Sequence, residues 1–115
     1  MDIRKYKQLA KLIRDNEVYK VYDLPGLEDI EISLTELRSH KSTIGHSHDK
    51  VDEVYIFING GGTMEVGKKT IKVKAGDIVP VKSGAFHRVH NKGEKKLSFW
   101  AIFEKYEGRG LVNSK

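Results

Sequence analysis

The chain has 115 residues, 21 Lys or Arg against 16 Asp or Glu for a formal charge of +5, 38% apolar and 32% charged residues, and no cysteine. That length suits one core of ordinary size, and this composition is that of an ordered soluble domain. Disulfides and thiolate ligands are excluded, no apolar run reaches the ~20 residues of a bilayer crossing, and basic residues are interspersed with acids, which argues against nucleic-acid and membrane partners. The opening Met1-Asp2-Ile3-Arg4-Lys5 lacks the apolar stretch of a secretory signal, so a cytoplasmic protein is expected.

From Ile3 to about Asp15, Ile3, Tyr6, Leu9, Ala10, Leu12 and Ile13 recur at helical spacing and predict an amphipathic helix. Residues 1–16 are therefore read as a helix appended to a β body spanning 17–106, with 107–115 as a tail. Val18 to Tyr22 reads as a short strand, stopped by Pro25-Gly26. Ile30 to Leu37 alternates apolar and polar residues throughout, as a half-buried antiparallel strand should. Val54 to Ile58 is a β-branched and aromatic run. Asn59-Gly60-Gly61-Gly62 after it has the residue types of a tight hairpin, with Thr63 to Val66 returning. Thr70–Val73, Ile78–Val81, Phe86–Asn91 and Leu97–Phe103 continue the rhythm. Short strands between regular turn signals predict an all-β antiparallel sandwich or barrel.

The candidate chemistry lies in His46, His48 and Glu53, with a distant counterpart in His87. Two imidazoles one residue apart share a face of an extended strand, a common way to present a pair of metal ligands. Glu53 can join them if Asp49 to Asp52 bends the chain back. In a chain without cysteine, imidazole and carboxylate are the donors left for a metal. Tyr55 and Phe57 share the face of Glu53 and should point inward, with the Tyr55 hydroxyl near the carboxylate or a substrate. Val89 and Asn91 share the face of His87. His40 and His90 read as surface histidines, Lys82 as a lysine near the entry turn able to attract an anion, and Phe99, Trp100 and Phe103 as core or subunit interface.

These residues resemble the two signatures of the cupin superfamily. His46, His48, Glu53 and Gly60 fit the first, and Gly76, Gly84, His87 and Asn91 fit the second. The first signature's leading glycine falls at His40 and the second's proline at Lys82. The resemblance implies a jelly-roll barrel holding one divalent transition metal (Mn, Fe, Ni, Co or Zn) by His46, His48, Glu53 and His87, with two positions open for substrate. Thr43-Ile44-Gly45-His46-Ser47-His48, Glu53-Val54-Tyr55 and Gly60-Gly61-Gly62 are also similar to the cupin-type archaeal phosphoglucose isomerases, which implies a role for Thr43 in holding a sugar phosphate.

Several functions follow as expectations. A metal-dependent enzyme would act on a small anionic metabolite, a sugar phosphate or carboxylic acid, with Glu53 and Tyr55 catalytic and Thr43, Tyr55 and Lys82 binding substrate. The alternatives are a dioxygenase or decarboxylase, and a barrel that binds a sugar or acid without turnover. Sheet edges invite self-association, so a homodimer is expected.

Overall fold

In the computed structural model, residues 2–105 are described; the tail expected at 107–115 lies outside them. The elements in chain order are α1 (Ile3–Leu9), β1 (Lys11–Asp15), β2 (Tyr19–Asp23), β3 (Ile30–Leu37), β4 (Glu53–Asn59), β5 (Gly61–Val66), β6 (Lys69–Lys74), β7 (Ile78–Val81), β8 (His87–Asn91) and β9 (Leu97–Glu104). The alternating segment becomes β3, paired residue for residue with β9 from Ile30↔Glu104 to Leu37↔Leu97. Around that pair runs an antiparallel sheet in the order β1-β2-β3-β9-β4-β7, faced by a second in the order β6-β5-β8. Inward residues of both layers, among them Tyr19, Leu37, Phe57, Met64, Val89 and Phe99, make one core. The fold is an all-β antiparallel jelly roll with a short N-terminal helix. Among the described residues, no helix is long and apolar enough to cross a membrane.

Two local expectations are corrected. The helix predicted over Ile3 to Asp15 stops at Leu9: Asp2 caps its start by accepting from the Arg4 and Lys5 N–H groups, and Ala10 is already extended at φ −84°, ψ 163°. Residues Lys11–Asp15 run instead as an edge strand against β2, with an irregularity between Leu12 and Arg14. The apolar pair Leu12-Ile13 fits either period, and pairing supplies β2 with hydrogen bonds that a longer helix would deny it. The Asn59-Gly60 turn is a corner rather than a hairpin, since β4 lies in the larger sheet and β5 in the smaller. Gly60 has φ +81°, and a Cβ there would lie 2.7 Å from the Lys96 carbonyl oxygen, so only glycine makes this corner without strain. The Asn59 side chain completes it by accepting from the Ser98 N–H at 3.1 Å.

The helix packs on the outer face of the larger sheet. The Tyr6 ring meets Trp100 edge-on at 4.7 Å, and its hydroxyl donates to the carbonyls of Tyr22, at 3.0 Å, and Ile32. Lys7 and Lys96 converge on the buried Glu36 carboxylate at 2.9 and 3.0 Å. Burial pushes the Glu36 carboxyl up, but these lysine hydrogen bonds outweigh it and hold the group below its ordinary value.

Tyr6→Phe keeps the ring contact with Trp100 and removes the donor shared by two carbonyls. Urea denaturation should show a loss of about 1–2 kcal/mol with an unchanged m-value.

Candidate metal centre

Three separate parts of the chain build one cluster. Glu53 opens β4, opposite Val81 of β7 and Phe103 of β9, and the strand's alternation turns Glu53, Tyr55 and Phe57 inward. His87 opens β8, with Val89 and Asn91 on the same buried face. His46 and His48 come from the connection between β3 and β4. That connection is not the regular strand expected for a His-x-His pair: its backbone pairs with β8 at the isolated bridges Ser42↔His90 and His46↔His87.

Close packing at Gly45 accounts for this irregular path. A Cβ on Gly45 would fall 2.1 Å from Cζ of Phe86, so the chain passes directly beneath that ring. Backbone bonds hold the segment on both sides. Thr43 N–H donates to the Val89 carbonyl at 2.9 Å, and His46 and His87 exchange bonds at 3.2 and 2.9 Å. Further on, the His48 carbonyl accepts from Gly84 N–H, and Asp52 accepts from Ser83 N–H at 2.8 Å. These last contacts bend the chain back so that Glu53 faces the histidines.

One nitrogen or carboxylate oxygen from each of His46, His48, Glu53 and His87 lies within 4.8 Å of all the others. His48 Nε2 is 3.6 Å from Glu53 Oε1, and His87 Nε2 is 3.4 Å from Glu53 Oε2. Glu53 is 3% and His87 2% exposed, so the carboxylate lies in a medium that penalises charge unless a cation or donor answers it. The tautomers follow from fixed acceptors. Nδ1 of His87 is 3.1 Å from the Ala85 carbonyl and Nδ1 of His46 is 3.2 Å from that of Ile44. A carbonyl only accepts, so each Nδ1 carries the proton and each Nε2 keeps a lone pair. His87 Nε2 is buried with no hydrogen-bond partner among the described residues. Three imidazoles and one carboxylate, with lone pairs converging on one point, fit a divalent transition ion.

The remaining candidates are placed differently. The Tyr55 ring is buried, stacked on Phe99 at 5.2 Å and edge-on to His87 at 5.7 Å. Thr43 is buried, and its Oγ1 accepts from Val89 N–H at 2.9 Å, which ties it to β8. Lys82 is exposed on the turn that holds the His48 carbonyl. Asn91 anchors the far end of β8: its amide donates to the carbonyls of Leu37, Arg38 and Lys95. His40, where the first signature's glycine would fall, keeps the left-handed backbone at φ +59°, and its ring meets Glu94 at 3.0 Å. His90 is not the plain surface histidine expected. It is half-buried, with Ser42 at one ring nitrogen and Glu65 at the other. Only the strand register, which sequence patterning does not reveal, brings those three together.

Burial, and then the neighbouring His87, push the His46 imidazole down from 6.5 to about 4. Between those values the unfolded chain binds a proton that the folded chain refuses, so stability rises with pH across the window. The metal-free protein should therefore melt at progressively lower temperature as the pH drops from 6.5 towards 4, with this contribution level below that. In His46→Gln that slope should flatten, as read by calorimetry in the presence of a chelator.

Comparison with known proteins agrees with this architecture. Residues 33–103 match the family described as Cupin domain. An oxalate-binding protein of Thermotoga maritima is 34% identical over 62 residues, 53% of this chain and 51% of that protein, so the chain's match spans about half the length of this curated relative. Among solved structures, a predicted oxalate decarboxylase of Thermotoga maritima superposes with a TM-score of 0.71 at 22% identity, over 92% of this chain and 100% of that one. The oxalate decarboxylase–formate complex of Lactobacillus farciminis superposes with a TM-score of 0.75 at 23% identity, over 86% of this chain and 32% of that one. With the family pattern running from β3 to β9 and enclosing all four converging residues, the chain belongs to the cupin family.

Proposed function

We propose that this cupin holds one divalent transition metal at His46, His48, Glu53 and His87, and that it binds a small carboxylate anion beside that ion. The convergence of the four ligand atoms, with the Nδ1 positions of His46 and His87 already committed to backbone carbonyls, carries the reading. Four protein ligands on an ion that accepts six leave room for a chelating anion, and the ion's Lewis acidity would polarise it there. The donor set is compatible with Mn, Fe, Ni, Co or Zn alike.

A cavity of about 640 Å³ opens beside the cluster, lined by Ser47, His48, Asp49, Lys50, Val51, Glu104 and Lys105. It gives a small molecule a route to His48, with Lys50 and Lys105 balanced by Asp49 and Glu104 along it. Lys82 adds positive charge on the neighbouring turn, and the chain's +5 balance favours anions in general. The names of the relatives, an oxalate-binding protein and oxalate decarboxylases, support a carboxylate over a sugar phosphate. The position of Thr43 supports the same choice, because its oxygen accepts from the β8 backbone and its side chain is buried. In this reading Glu53 holds the ion, while Tyr55 borders His87 and closes the floor of the site against water. Whether the anion is only bound or is decarboxylated is decided by product formation.

Elemental analysis of the purified protein should find about one transition metal per chain. The His46→Ala, His48→Ala double variant should stay metal-free after chelation and reloading, and full metal content in that variant would overturn the centre. Oxalate and related dicarboxylates should then bind the loaded protein and not the stripped one, as read by isothermal titration calorimetry.

We propose also that the protein forms a homodimer through the larger sheet. Its edge strand β7 carries Ile78 at 65% exposure, beside the half-buried Ile56 and Ile58 on the outer face of β4. An apolar edge of this kind pairs readily with a second copy. Light scattering should give twice the chain mass, and Ile78→Lys should shift it towards one.

A further inference from the structure

On the outer face of the smaller sheet, away from the metal ligands, three polar side chains from three segments are joined in a line. His90 Nε2 lies 2.7 Å from Glu65 Oε2, and His90 Nδ1 lies 2.6 Å from Ser42 Oγ. The strand register explains the meeting. His90 of β8 is opposite Thr63 of β5, which places Glu65 diagonally beside it, and Ser42 is opposite His90 on the other side. The chemistry fixes the direction of the bonds. A carboxylate accepts only, so Nε2–H donates to Glu65, and with one proton on the ring Nδ1 accepts from the serine hydroxyl.

We infer that His90 is a positioning residue for the metal centre, acting through Ser42 to set the place of His46. The inference rests on the reading of His46, His48, Glu53 and His87 as metal ligands. Ser42 begins the short irregular segment that ends at His46. Its bond to His90 joins the other ties of that segment to β8, which are the Thr43 and His46 backbone bonds, the 2.9 Å bond that Thr43 Oγ1 accepts from Val89 N–H, and a 2.7 Å bond from Arg88 Nε to the Thr43 carbonyl. The His48 end is held separately, by Gly84 and Asp52 against the turn before β8. Glu65 lies at the opposite side of His90, and its side chain bonds to the imidazole, through which it bears on Ser42. The Ser42–His90–Glu65 line thus joins the central strand of the smaller sheet to the segment that carries His46. Partners that orient a metal ligand from outside the coordination sphere commonly change affinity by about 10- to 100-fold. Acting one residue group further out, this line should command the lower end of that range.

The test measures Co²⁺ affinity and the visible spectrum of the Co²⁺-loaded protein, alongside urea stability, for wild type, Ser42→Ala, Glu65→Ala, Glu65→Gln and the Ser42→Ala, Glu65→Ala double variant. Each single alanine variant should bind Co²⁺ about tenfold more weakly, with an altered spectrum. The double variant should be little worse than either single, because both act through one imidazole. Glu65→Gln, whose amide oxygen can still accept from Nε2–H, should recover most of the loss. Variants that lose stability but bind Co²⁺ as wild type does would overturn the positioning role and leave a structural clamp. Losses that add fully in the double variant would overturn the single line of action. If wild type itself binds no Co²⁺, the metal centre fails first, and that outcome is distinct from both. Ser42 and Glu65 are partly exposed, so none of these variants depends on rebuilding the core.

Discussion

A carboxylate shut away from water at the open end of the β layers is the constraint on which the centre depends. Glu53 is almost wholly buried, and a buried negative charge costs several kcal/mol unless a cation or hydrogen-bond donors answer it. The groups facing it are imidazoles. Of these, His46 is held neutral well into the acid range, so it does not supply the compensating charge at physiological pH. A divalent ion would resolve the conflict, since it would answer the carboxylate and use the nitrogens that the backbone carbonyls of Ile44 and Ala85 leave facing inward. The same arrangement would be poor design for a core assembled only for stability.

The fold meets this constraint by division of labour. The larger sheet contributes Glu53 from a strand hydrogen-bonded on both sides, and the smaller sheet contributes His87 from the start of β8. These are rigid mounts. The remaining two histidines ride on a connection whose path is set by one glycine beneath Phe86 and by scattered backbone bonds to β8 and to the turn before it. Regular strands thus carry the buried Glu53 and His87, and the irregular segment carries the two histidines nearer to solvent.

Strand patterning was legible wherever one face meets the core and the other meets water or a second layer. The bounds Ile30–Leu37 map onto β3 without a shift, although the strand expected to be half-buried is covered on both faces, with Glu31, Ser33, Thr35 and Glu36 all buried. The spacing of His46, His48, Glu53 and His87 picks out residues that converge in space. What patterning could not show was pairing. Leu12 and Ile13 satisfy both a helical and an extended period, and the choice was made by the open edge of β2. Asn59-Gly60 has hairpin chemistry, yet the close approach of Lys96 makes it a corner between sheets. His90 had the look of a solvent-facing residue because Ser42 and Glu65, its partners, are brought to it by register rather than by neighbourhood in sequence. At His40 the signature glycine is replaced while its left-handed backbone is retained. That is tolerable because histidine visits this region more readily than branched residues do.

The corner at Gly60 and the four-residue cluster lie at opposite ends of β4, and at both ends the chain crosses between the layers. At the corner end the layers are joined covalently at Gly60, between β6 and β7, and between β8 and β9. At the other end Glu53 belongs to one layer and His87 to the other, and residues 82–86 join the layers there, running from Val81, the partner of Glu53 on β7, to His87. An ion shared by those two residues would act as a removable rivet between the layers. Because residues 82–86 already tie the layers at the mouth, loss of such an ion would loosen the cluster itself and leave the two layers joined.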